Sequence, residues 1–154
     1  MLKMAENSAE ERRKRARVCE ARNEKSSYEQ RKAQKESKRN VNEKKIERLK
    51  SAKDSLQSLK KSAEEHHRSL KKYTDDNGIQ DEWVGNKQKD IVSMIDGDLV
   101  SYYKSYTDRL DDVVDAICDE ITRLQNENMQ LGWDILHIGS LINSLVNEIR
   151  TLCN

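Results

Sequence analysis

The sequence predicts an all-α protein built as an antiparallel two-helix hairpin with coiled-coil-like packing. Three observations lead to this class. The 154 residues include no proline, charged residues make up 37% of the chain against 34% hydrophobic residues, and apolar residues in the C-terminal part repeat every seven positions. The lack of proline favours long helices. A composition this polar excludes the thick core of a sheet sandwich or an α/β enzyme.

Residues 1–40 read as a basic, charged extension, with 13 basic and 7 acidic side chains. The few apolar residues, such as Val18 and Tyr28, do not recur with a sustained period. We therefore expect a helical or disordered extension that has no core of its own.

Helix one is predicted over about residues 41–76, within a hairpin domain of residues 41–154. Apolar residues spaced three and four apart indicate one buried stripe on this helix. The predicted stripe consists of Leu49, Ala52, Leu56, Leu59, Ala63, His66, Leu70 and Tyr73. Asn77-Gly78 is typical of a helix end, so a loop is predicted over residues 77–86.

Helix two is predicted over about residues 87–152, and a strict heptad pattern begins at Leu110. Such a pattern predicts that the helix packs against another helix. One heptad set is Leu110, Ile117, Leu124, Leu131, Ile138, Leu145 and Leu152, and the other is Val114, Ile121, Asn128, Ile135, Ile142 and Ile149. Asn128, the polar member, is interpreted as a determinant of register and specificity, or as an exposed residue if the frame is shifted by one.

Folding the helices back at the loop places residue 80 + n opposite residue 80 − n. This arrangement lays the basic block 41–73, net +5, along the acidic part of helix two within the block 74–120, net −9. It also lays residues 121–152 along residues 8–39, which offer few apolar side chains. We therefore expect an uncovered apolar seam that binds a partner. The predicted partner-binding residues, called the C-terminal seam below, are Ile121, Leu124, Asn128, Leu131, Ile135, Ile138, Ile142, Leu145 and Ile149.

The residues beside the C-terminal seam favour a different protein as the partner over a second copy. One flank carries Glu120, Glu127, Asp134 and Glu148, and the other carries no Lys or Arg that could answer them in a homodimer. Gly132 and Gly139 on the second flank weaken the helix, which makes sense if another backbone approaches there. Self-association as a coiled-coil scaffold remains the alternative.

The turn Trp83-Val84-Gly85, between helices of this kind, resembles the WxG turn of small helical-hairpin proteins handled by type VII secretion systems. The pattern from Lys45 to Lys53, the residues Asp81-Glu82 before the turn and the pair Tyr102-Tyr103 resemble the YwqH-like family. The resemblance covers about residues 41–154. It assigns Trp83 and Gly85 as the turn residues.

The resemblance implies a non-enzymatic adaptor or targeting chaperone that binds the helical LXG domain of a polymorphic toxin. A second small helical protein often joins such a complex, which the type VII export machinery then recognises. Many WxG substrates carry a Tyr-x-x-x-Asp/Glu export signal. Tyr102 and Tyr103 are not followed by an acidic residue at that spacing. We therefore expect a cytoplasmic protein, with export alongside its partner as the alternative.

The sequence gives no indication of an enzyme. It contains no Gly-rich phosphate loop, HExxH or GxSxG pattern, so we expect no catalytic residues, no metal site and no cofactor.

The three cysteines are widely spaced, and segment 131–149 is too interrupted by polar residues for a membrane span. The basic run Arg12–Arg17 raises specific nucleic-acid binding as a further alternative, which the late start of the heptads disfavours.

Overall fold

The computed structural model describes the backbone of residues 2–75 and 86–154, and side-chain environments within residues 7–72, at 87 and over 89–154. Its elements are α1 (Leu2–Asp75), α2 (Asn86–Met94), a π-helical segment (Ile95–Leu99) and α3 (Val100–Cys153). Over these ranges no residue lies in a strand, and the predicted all-α class is confirmed. The predicted WxG turn, with Trp83 and Gly85, lies outside the described residues.

Helix α1 continues without a break through the segment predicted as an extension. It contains neither proline nor glycine, so no residue in it interrupts the backbone hydrogen-bond ladder. Ion pairs one turn apart, such as Lys14 with Glu10 and Arg39 with Glu43, support the exposed side of the helix. Of the two alternatives, a helical or a disordered extension, the structure therefore has the helical one over residues 2–40.

The chain divides into two compact units. The first unit joins Met1–Lys45 with Leu124–Asn154, and the second unit is Ile46–Arg123. In the first unit Arg17 pairs with Glu148 and Lys35 pairs with Asp134. Since the residue numbers rise on one helix as they fall on the other, this part of α1 runs antiparallel to α3.

The core of the first unit corrects one prediction: the N-terminal segment does cover the seam. Ala21 is 0% exposed and Leu124 1% exposed, and Leu131, Ile138 and Leu145 are also buried. Much of the cover on α1 is half-buried lysine, at Lys25, Lys32 and Lys35. A lysine can lay its aliphatic stem on apolar surface while the ammonium stays in water, and the sequence analysis counted these residues only as polar.

The pairing register is also displaced from the prediction. The rule of 80 + n opposite 80 − n placed Arg17 opposite residue 143, whereas its partner is Glu148, five residues further on. The register follows the match between the apolar stripe of α3 and the contacting face of α1 rather than the midpoint of the loop.

The second unit has its own core, formed by Ile46, Ala63, Leu110, Val114 and Ile121. Here Lys60 donates hydrogen bonds to both carboxylate oxygens of Asp111, at 2.6 and 2.7 Å. These bonds raise the pKa of Lys60. The pair joins the basic block to the acidic block, as predicted, although the predicted register placed Lys60 opposite residue 100 and not opposite Asp111.

Three of the seven described residues in the stripe predicted on helix one are wrong in the second unit. Leu49, Leu56 and Leu70 are half-buried and Ala63 is buried, as expected, whereas Ala52, Leu59 and His66 are exposed. Lys53, Lys60 and His67, each one position later, are half-buried instead. At these three positions the contact face of the helix is therefore shifted by one residue. A lysine can take such a place because its aliphatic stem can lie on apolar surface. Tyr73 lies outside the residues whose side chains are described.

Candidate docking surface on the first unit

The predicted partner-binding residues fall into two groups according to their burial. Leu124, Leu131, Ile138 and Leu145 are buried within the first unit, and Ile121 is buried within the second. Asn128, Ile135, Ile142 and Ile149 are half-buried at the edge of the contact with α1. The second group remains within reach of another chain. The assignment of the whole seam to partner binding stays a prediction.

Ion pairs close one flank of the first unit. Nε and Nη2 of Arg17 donate to the two carboxylate oxygens of Glu148 at 2.6 and 3.0 Å, and Nζ of Lys35 donates to Asp134 at 2.6 Å. Lys38 pairs with Glu127 on the same flank. Three of the four acids that a homodimer could not answer, Glu127, Asp134 and Glu148, therefore pair with the chain's own N-terminal helix, while Glu120 pairs with Arg123 on α3 itself.

The charges on this flank bias the ionisation of their partners. The hydrogen bonds to Glu148 raise the pKa of Arg17 above its ordinary value. The hydrogen bond donated by Lys35 lowers the pKa of Asp134. Exposed pairs contribute little individually, so their main effect is on register and on which flank is sealed.

The other flank of the first unit is open, and we call it the open flank. It consists of Gly132, Gly139 and Val146, which recur every seven residues on α3. A Cβ atom built on Gly139 meets nothing within 4 Å, and one on Gly132 meets only Nη1 of Arg39, at 3.9 Å. Among the described residues, the backbone thus makes no close approach to either glycine, and the space above Gly139 is unfilled.

An exposed apolar face continues from the open flank. Met129, Trp133 and Leu136 are 62%, 66% and 69% exposed. They define the outer apolar face. At about 100° per residue, Gly139 lies about 80° and Leu136 about 140° around the helix axis from Leu131, on the same side. Asp134 lies about 60° to the other side. The apolar surface of α3 is therefore wider than its contact with α1, and it extends on the side of Gly139, away from Asp134.

This part of α3 is also nearly free of charge. Between residues 128 and 147 the only charged side chain is Asp134, and it is engaged with Lys35 on the closed flank. In a chain that is 37% charged, a 20-residue helical segment with an uncharged outer side is unusual. Interfaces are depleted of charge at their centres in the same way.

Two asparagines, one buried and one half-buried, lie in the seam of the first unit. Asn42 is 3% exposed and its Nδ2 has no hydrogen-bond partner among the described residues. The Oδ1 of Asn128 also has none, although its Nδ2 donates to the carbonyl of Arg39 at 3.5 Å. Buried, poorly satisfied amides cost stability and disfavour alternative registers. Asn42 escaped the sequence analysis because helix one was taken to begin beside it.

Two further features concern the described residues, namely metal-binding clusters and membrane spans. Within them, no group of three His, Cys, Asp or Glu side chains is arranged to hold a metal ion. Searching the described helices finds none that is long and apolar enough to cross a membrane.

Comparison with known proteins gives one match. The family model described as YwqH-like matches residues 23–147. The match begins inside the segment 1–40 that the resemblance left largely aside, in agreement with the continuity of α1 through that segment. No curated protein and no solved structure matches the chain. Since the matched span covers most of the sequence, this chain belongs to the YwqH-like family.

Proposed function

We propose that this protein is a non-enzymatic adaptor that binds the helical domain of an LXG-type toxin for type VII secretion. The proposal is supported by membership of the YwqH-like family and by the WxG resemblance of the sequence. The observation that carries it is the open flank together with the outer apolar face, which α1 leaves uncovered.

The chemistry of this surface suits a helical partner. Burying a large apolar side chain is worth about 1.5–3 kcal/mol, and Met129, Trp133 and Leu136 are all largely exposed. Their spacing of four and three residues is that of a helix packing along α3. Tryptophan is also among the residues that most often dominate the energy of an interface.

The partner is expected to add to the first unit rather than to replace α1. Leu124 and Ile138 are already buried by the chain itself, so a partner helix meets the seam only at its half-buried edge. That edge contains Ile135, Ile142 and Ile149. A third helix seated there would complete a bundle whose remaining apolar positions face it.

Co-purification with a toxin's LXG domain tests the proposal. The variant Met129→Glu/Leu136→Glu places two charges on the outer apolar face, and since both side chains are largely exposed, it should keep its helix content. We expect it to lose the complex. The control Leu59→Glu/Val113→Glu makes the same changes at exposed apolar residues of the second unit and should retain it.

Two results would contradict this proposal. The first is a complex that survives the Met129→Glu/Leu136→Glu change unaltered. The second is light scattering that shows a tight dimer of the isolated chain which the same change dissociates, because the apolar face would then serve self-association.

A further inference from the structure

A basic groove runs along the open side of the first unit, between α1 and the end of α3. It comprises two cavities of about 430 and 380 Å³ that share Arg22 in their lining. The wall on α3 is uncharged and includes Val146, Ile149 and Leu152. The groove therefore continues the open flank of Gly132 and Gly139 toward the C-terminus of α3.

The wall on α1, called the basic wall below, carries four cations: Lys14, Arg15, Arg22 and Lys25. Its single acid, Glu29, is engaged with Lys25 at 3.1 Å. Lys14 and Arg15 contact acids one turn away on α1, at 3.3 and 3.7 Å. Arg22 has no acidic partner among the described residues. The basic wall therefore keeps a net positive charge directly beside the uncharged wall on α3.

A groove–groove contact between two copies does not suit these walls. It would bring one basic wall toward another, and the uncharged α3 walls of the two copies carry no acid that could pair with Arg22. Like charges brought together at an interface are unfavourable. Charge complementarity therefore selects a different chain as the occupant.

We propose that this groove holds an acidic amphipathic helix of the toxin domain, packed as a third helix on the first unit. This inference rests on the proposed adaptor function. The apolar stripe of the partner helix lies on Val146 and Ile149, and carboxylates on its edge meet Arg15 and Arg22. A small residue of the partner crosses at Gly139, where the space for a Cβ atom is unfilled.

The native cysteines provide a footprint of the groove. Cys19 and Cys153 both line it and both are exposed. Cys118 belongs to the second unit and is half-buried. A helix bound in the groove should slow alkylation of Cys19 and Cys153 by N-ethylmaleimide, read by mass spectrometry, and leave the rate at Cys118 unchanged.

Two probes separate the groove from the adaptor function. One is the LXG domain. The other is a pair of synthetic amphipathic helices with the same apolar heptads and either glutamate or lysine at the flanking positions. We expect the LXG domain and the glutamate peptide to protect Cys19 and Cys153, and the lysine peptide to give no protection. Protection by the glutamate peptide should weaken as salt is added.

Charge reversal then tests the basic wall itself. Arg15→Glu/Arg22→Glu should weaken binding of the glutamate peptide by about tenfold or more, because each attraction becomes a repulsion. It should bind the lysine peptide better than the unaltered protein does. Arg12→Glu/Arg13→Glu carries the same change of charge on exposed residues outside the groove lining and should bind both peptides as the unaltered protein does.

The outcomes are distinguishable. If the LXG domain binds but leaves Cys19 and Cys153 unprotected, the groove inference is overturned while the adaptor function stands. If the glutamate peptide protects both cysteines but no LXG domain binds, the groove binds acidic helices and the adaptor function fails. Protection that rises with protein concentration alone assigns the groove to a second copy and overturns the inference.

Discussion

Replacing Gly139 by alanine should have opposite effects on the free protein and on its complex. In the free protein the added methyl group meets no atom within 4 Å, so it introduces no clash. Alanine in a helix interior is favoured over glycine by about 1 kcal/mol, since glycine loses more backbone freedom on folding. The Gly139→Ala chain should therefore be more stable than the unaltered chain.

The magnitude is large enough to measure. For a protein of this size about 1 kcal/mol corresponds to a rise in Tm of roughly 2–4 °C, which circular dichroism at the helical minimum resolves. Gly132→Ala should act in the same direction, because its Cβ would make only an ordinary contact with Nη1 of Arg39 at 3.9 Å. The two sites lie about 10 Å apart along the helix, so the double variant should gain close to the sum.

The complex should respond in the opposite direction. If a partner helix crosses at Gly139, a methyl group there costs about 1–3 kcal/mol of overpacking, and the affinity falls by roughly five- to 150-fold. Gly97→Ala is the matched control, because Gly97 also has nothing within 4 Å of its built Cβ and lies in the second unit. It should leave binding unchanged.

Two results would refute this reasoning. A lower Tm for Gly139→Ala would mean that another group already fills the space in the free protein. Unaltered affinity for the LXG domain would mean that no backbone approaches the glycine in the complex.

Three further predictions concern the first unit. Leu124→Ala should lower the free energy of unfolding by about 2–5 kcal/mol in urea titration, since Leu124 is almost completely buried, whereas Leu136→Ala at a largely exposed position should change it by less than about 0.5 kcal/mol. Asn128→Leu should raise the free energy of unfolding by about 1–3 kcal/mol, because it removes a poorly satisfied buried amide. Double electron–electron resonance between spin labels on α1 and α3 should then detect more than one register. A single distance, unchanged from that of the unaltered protein, would count against a register role for Asn128. Because Lys35 lowers the pKa of Asp134, the stability from this pair is present at a pH above the ordinary carboxyl pKa of about 3.9. That stability is lost as the pH falls through the lower pKa of the folded state. The urea midpoint should therefore decline less steeply between neutral and acidic pH for Asp134→Asn than for the unaltered chain.

The heptads carried most of the correct part of the fold prediction. Leu110, Leu124, Leu131, Ile138 and Leu145 are buried as the first heptad set required. A seven-residue repeat of leucine and isoleucine on one helix has few other solutions than packing against a second helix. The absence of proline and glycine from residues 2–75 likewise allowed the long α1.

The sequence could not identify the helix that would cover the seam. Lys25, Lys32 and Lys35 were counted as polar, yet all three are half-buried, and Lys35 bonds to Asp134 of α3. Whether a lysine is a solvated charge or an apolar cover depends on what stands opposite it. For the same reason, the contact face of the second unit was predicted at Leu59, whereas the structure has Lys60 there.

The sequence by itself determined that this chain forms long helices with a wide apolar stripe on the second, because helix period and composition are local properties. Only the tertiary structure decided which side of that stripe stays free. Ion pairs from α1 to Glu127, Asp134 and Glu148 seal one flank, and the glycine flank remains open, because pairing depends on register and register is a property of two helices together.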